Sequence, residues 1–87
     1  MPEFVIYTKS WCPYCQAALD LLKKKNIPFK QIEITNNKEL MAEMVERAAG
    51  RTSVPQIFAG ERHIGGCDDL YALDEKGGLD KIMLTKA

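Results

Sequence analysis

"KSWCPYCQAAL", residues 9–19, sets two cysteines three positions apart where the apolar periodicity changes. Upstream lies Phe4-Val5-Ile6-Tyr7, an unbroken apolar run as long as a strand covered on both faces. Downstream, Ala18, Leu19 and Leu22 recur at helical spacing, with Cys15 on the first turn of the same face. Pro13 suits the first helical position, where its missing N–H would have had no partner. Cys12 then stands at the N-cap. The helix is predicted from Pro13 to about Lys25. Lys23, Lys24 and Lys25 lie at its electronegative end as a solvated run, and Asn26 and Pro28 stop it.

The rest of the chain continues the alternation. Phe29 to Ile34 reads as a second strand, with Ile32 and Ile34 on one face and Lys30, Gln31 and Glu33 suited to a sheet edge. Asn36 with Glu39 three residues on signals the cap of a second helix. Leu40, Met41, Met44, Val45 and Ala48 form that helix's apolar stripe, and Gly50 ends it. Gln56–Ala59 and Arg62–Gly65 read as a hairpin turning at Gly60-Glu61. A third helix begins near Cys67-Asp68-Asp69 and stops at Gly77-Gly78, followed by a short helical turn carrying Leu79, Ile82 and Met83. The order βαβαββα predicts an α/β fold: a mixed sheet with helices on both faces. At 87 residues the expectation is one domain, 1–87.

Composition narrows the function. Twelve basic residues balance twelve acidic ones, which argues against a nucleic-acid binder, since that needs a basic field. No apolar run is long enough to span a membrane. The start "MPEFVIYTKS" lacks a basic segment followed by a long apolar one, so no signal peptide is expected. Three cysteines do not suit a secreted disulfide scaffold, and a reducing, cytoplasmic setting is expected. A zinc site would need four ligands, and only His63 and Cys67 could join the pair, so no metal is expected.

Redox chemistry remains. An N-cap side chain accepts hydrogen bonds from the second and third backbone N–H groups, here Tyr14 and Cys15. Those donors, the positive helix end and nearby Lys9 suit a thiolate at Cys12. One turn away, Cys15 is within disulfide reach and points inward, as a resolving thiol.

"TKSWCPYC" (8–15), "TSVPQIF" (52–58) and "GGCDDL" (65–70) together resemble a dithiol glutaredoxin, and the likeness covers the whole chain. The resemblance implies a thioredoxin-like fold with a four-stranded sheet in the order 2-1-3-4. It implies a glutathione-disulfide oxidoreductase that reduces protein disulfides and glutathione mixed disulfides, with glutathione as reducing co-substrate. Its partners would be glutathione and disulfide-containing or glutathionylated proteins, and the enzyme would be a monomer. Residue by residue, Cys12 is the nucleophile and Cys15 resolves. Lys9 faces the glycine carboxylate of glutathione, Tyr14 flanks the groove, and Ser53-Val54-Pro55 offers backbone beside a cis-proline. Cys67 and Asp68 form the turn into a helix that holds the γ-glutamyl carboxylate, with Asp68 or Asp69 on the ammonium group. Arg51 and Gln56 are further candidates for the glycine carboxylate.

Two features depart from the family pattern: Ser53 where threonine is frequent, and Trp11 before the nucleophile, which is more like thioredoxin. Trp11 reads equally as a contact for protein substrates and as a partly packed surface aromatic. Cys67 reads as a small groove-lining residue and His63 as solvent-facing. Two alternatives stand beside the glutathione enzyme. One is a redoxin fed by thioredoxin reductase. The other is a carrier of a glutathione-ligated iron–sulfur cluster, which Pro13 disfavours.

Overall fold

The computed structural model describes residues 2–84, so the ends of the expected 1–87 domain lie outside the described residues. In chain order the elements are β1 (Phe4–Thr8), α1 (Pro13–Lys24), β2 (Phe29–Glu33), α2 (Lys38–Arg47), β3 (Gln56–Ala59), β4 (Arg62–Gly65), α3 (Cys67–Glu75) and α4 (Gly78–Leu84). The short turn expected at the end is a seven-residue helix, α4. One sheet runs β2-β1-β3-β4, the order that the family resemblance implies. β1 pairs parallel with β2, Phe4 opposite Phe29, and antiparallel with β3, Ile6 opposite Ile57.

Every residue of β1 is buried, because alternate side chains enter two separate cores. Phe4 and Ile6 pack with Ala18, Leu19 and Leu22 of α1, Leu70 of α3, and Leu79 and Ile82 of α4. Val5 and Tyr7 point the other way, to Ile34, Met44, Ala48 and Phe58 under α2. Burying one large apolar side chain contributes about 1.5–3 kcal/mol, so the central strand is held from both sides.

Two local expectations need correcting. The cap of α2 is Asn37, whose Oδ1 accepts from the Leu40 N–H at 3.0 Å. Asn36 instead takes a left-handed backbone, φ 56°, which Asn tolerates better than most residues. Asn37→Ala should therefore cost about 1 kcal/mol, lowering the unfolding midpoint by roughly 4–8 °C, while Asn36→Gly, which keeps that backbone, changes little. Thermal unfolding of the two variants checks this, and equal losses would contradict the assignment. Lys25, in turn, is not simply solvated. Its Nζ lies 2.8 Å from Asp74 of α3 and 3.0 Å from Asp80 of α4, tying three helix ends together.

Candidate active site

The chain leaves β1 at Thr8 and reverses before α1, with Trp11 in the left-handed region at φ 59°. Trp11 is 99% exposed, so it is a projecting aromatic rather than a packed one. The reversal sets Cys12 at the N-cap of α1 with an extended backbone, and Pro13 opens the helix. The Cys15 N–H donates to Cys12 Sγ at 3.2 Å. The side chain that would carry a thiolate thus already accepts one of the helix's unpaired donors.

The two thiols live in different surroundings. Cys12 is half-buried at the surface, while Cys15 is 1% exposed. Burial, and then its contact with the Cys12 sulfur, push the Cys15 thiol up to about 12, against a smaller lowering by a backbone hydrogen bond from Lys9. The raising by Cys12 is lost once that sulfur is tied up in a mixed disulfide, which eases ionisation of Cys15, while the larger raising by burial remains. At neutral pH it stays protonated, and reactivity should appear only as pH climbs toward that raised value. Brief treatment of folded protein with iodoacetamide at neutral pH should alkylate Cys12 and spare Cys15, whereas unfolding exposes both. Peptide mapping checks this, and early modification of Cys15 would contradict it.

Next to Cys12, a groove of about 370 Å³ is lined by Tyr14, Arg51, Ser53, Val54, Pro55, Gly66, Cys67, Asp68 and Asp69. The Cys12 thiol faces the Val54 carbonyl at 3.9 Å, which joins the sulfur to the groove wall. The Val54–Pro55 bond is cis. Across the groove α3 begins at Cys67, and Asp69 Oδ2 caps it by accepting from the Gly66 N–H at 2.9 Å. The same oxygen meets Arg51 Nη1 at 3.3 Å. The Gly66 N–H first, then Arg51, hold the Asp69 carboxyl below its usual range. Burial, then the charges of Asp68 and Cys12, push Cys67 up, as befits an inert lining thiol.

The structure therefore brings together eight of the residues singled out from the sequence around the groove: Tyr14, Arg51, Ser53, Val54, Pro55, Cys67, Asp68 and Asp69. Lys9 is placed elsewhere. It lines a second groove with Ile34, Asn37 and Met41. Gln56 is wholly buried, and its amide is spent on Ser53 and His63, so it does not face a ligand. His63 is half-buried rather than fully solvent-facing: it stacks on Phe58, centroids 4.8 Å apart, and bonds Gln56 at 2.6 Å. Gly66 was missed, although a doubled glycine directly before a helix start was the available signal.

Two thiols one turn apart, one reachable and one shielded, can be oxidised to a disulfide and reduced again. On this sheet they define a thiol–disulfide oxidoreductase of the thioredoxin-like class. The family model described as Glutaredoxin matches residues 4–64. A glutaredoxin of Pseudomonas aeruginosa is 52% identical over 83 residues, covering 95% of this chain and 98% of that protein. The solution structure of glutaredoxin from Brucella melitensis superposes with a TM-score of 0.82 at 50% identity, covering 94% of this chain and 88% of that one. The crystal structure of a buckwheat glutaredoxin–glutathione complex gives a TM-score of 0.80 at 26% identity, covering 91% and 74%. The chain belongs to the glutaredoxin family, and its activity is that of a glutaredoxin oxidoreductase.

Proposed function

We propose that the protein reduces glutathione mixed disulfides and protein disulfides with glutathione as electron donor, acting as a cytoplasmic monomer. The observation that carries this reading is the groove that meets the Cys12 sulfur at Val54. Glutathione has two carboxylates, one ammonium group and a peptide backbone. Val54 offers backbone to pair with the cysteinyl part, as an added strand would. The N–H groups opening α3 suit the γ-glutamyl carboxylate, and Asp68 the ammonium group. Arg51, which lines the same groove, supplies a cation for the glycine carboxylate.

On a glutathionylated protein, the Cys12 thiolate attacks the glutathione sulfur. A Cys12–glutathione disulfide forms, the old disulfide breaks, and the protein leaves as a thiolate. A second glutathione thiolate then attacks that adduct, expelling the Cys12 thiolate and yielding oxidised glutathione. On a protein disulfide, Cys12 forms a mixed disulfide with the protein, and Cys15 displaces it to give the Cys12–Cys15 disulfide. Two glutathione molecules reduce the pair again.

The test is turnover of a glutathionylated peptide with glutathione and glutathione reductase, repeated with thioredoxin reductase in their place. Turnover confined to the glutathione system is expected. Turnover sustained by thioredoxin reductase alone would overturn the donor assignment, and a coloured protein with a bound cluster but no turnover would favour the carrier reading.

A further inference from the structure

His63 does not line the groove, yet it is fastened to the groove wall through one buried side chain. Gln56 opens β3 and is fully buried. Its Nε2 donates to the Ser53 carbonyl at 3.0 Å and lies 3.3 Å from Ser53 Oγ. Its Oε1 meets His63 Nε2 at 2.6 Å. The orientation of this amide is forced by chemistry, because a flipped Gln56 would set two acceptors, its own oxygen and the Ser53 carbonyl, against each other. His63 must therefore be the donor, with a proton on Nε2.

The imidazole is itself held in place. It stacks on Phe58 with the ring planes 23° apart, and the Arg47 guanidinium lies 4.3 Å from the centroid of the same Phe58 ring. Arg47 donates to the Tyr7 hydroxyl at 2.8 Å, and Tyr7 donates to Glu43 at 2.6 Å. Burial, then Arg51, hold His63 below its usual value against the pull of Asp69, so at neutral pH the ring is uncharged and its one N–H donates to Gln56 Oε1.

We propose that His63 is a positioning residue for glutathione: through Gln56 it holds Ser53-Val54-Pro55, the groove wall beside Cys12, in its binding conformation. This rests on the glutathione reading above. Without the His63 donor, Gln56 Oε1 is a buried acceptor with no partner. Relieving that means turning the amide, which releases Ser53 and the backbone that follows it.

The experiment is steady-state kinetics with a glutathionylated peptide as varied substrate, for wild type, His63→Phe, His63→Gln, Gln56→Leu and the His63→Phe/Gln56→Leu double variant. His63→Phe keeps a ring to stack on Phe58 and removes only the donor, whereas His63→Gln returns an N–H. The expected result is a KM raised roughly 10-fold in His63→Phe and Gln56→Leu, with kcat within about 2-fold. His63→Gln should recover part of that loss, and the double variant should be no worse than Gln56→Leu alone. Alkylation of Cys12 by iodoacetamide should be unchanged throughout, which separates a displaced wall from a damaged nucleophile. An unmoved KM in His63→Phe, or additive losses in the double variant, would overturn the proposal. Wild-type protein that turns over the same peptide equally well when cysteinylated would instead refute the glutathione reading, and this proposal with it.

Discussion

Cys12→Ser is expected to abolish turnover of every disulfide substrate, while Cys15→Ser keeps turnover of glutathione mixed disulfides and loses that of protein disulfides. A serine hydroxyl at the N-cap still accepts the Cys15 N–H, so the fold survives. It is hardly ionised at neutral pH and cannot form a disulfide, and a fall beyond about 10³-fold follows. Cys15→Ser removes a group that is 1% exposed and that the attacking step does not need. A glutathionylated substrate needs one attacking thiol and a second glutathione, so its rate should stay within about 10-fold of wild type. A protein disulfide leaves Cys12 tied to the substrate, and Cys15 is the nearby thiol that can release it. Glutathione-reductase-coupled turnover of the two substrate types measures this, and equal losses for both substrates in Cys15→Ser would contradict the division of roles.

Gly65→Ala is expected to be the most damaging single-methyl change at the groove. Gly65 ends β4 at φ +121°, a backbone that residues with a Cβ rarely adopt, at a cost of about 1–3 kcal/mol. A methyl group there would also run into the Asp69 carboxylate, with Asp69 Cγ at 2.7 Å. That carboxylate caps α3 through Gly66 and pairs with Arg51, and losing such a cap costs about 1 kcal/mol more. The sum lowers the unfolding midpoint by roughly 8–32 °C, and kcat/KM for glutathionylated peptide falls because the α3 side of the groove moves. In an Asp69→Ala background the contacts with the carboxylate are gone and only the one with the Cβ of position 69, at 2.9 Å, remains, so Gly65→Ala should cost less there than in wild type. The same cost in both backgrounds would show that the Asp69 contact plays no part.

What could be read in the sequence was whatever local pattern controls. The Phe4–Tyr7 run marks a strand covered on both faces because each alternate side chain has its own core. Pro13 and the cysteine spacing place Cys12 at an N-cap because helix geometry depends only on neighbours in the chain. Asn36 and Asn37 were not separable, since both are good caps and only the backbone's left-handed step at Asn36 decides between them. Lys9 stands three residues before Cys12, yet the chain reverses at Trp11 and Lys9 lines a groove shared with Lys38 and Met41 of α2. Gln56 and His63 were opaque for a different reason. Their partnership depends on the pairing of β3 with β4 and on the turn-back of a buried amide toward Ser53, and both are tertiary facts.

The most direct test of the central claim is to mix the Cys15→Ser variant with oxidised glutathione and map the product by intact mass and peptide sequencing. With the resolving thiol gone, the adduct cannot collapse to the internal disulfide. The account predicts one glutathionyl group, on Cys12, removed again by reduced glutathione, with Cys67 unmodified. No adduct, or one on Cys67 with Cys12 still a thiol, would contradict it.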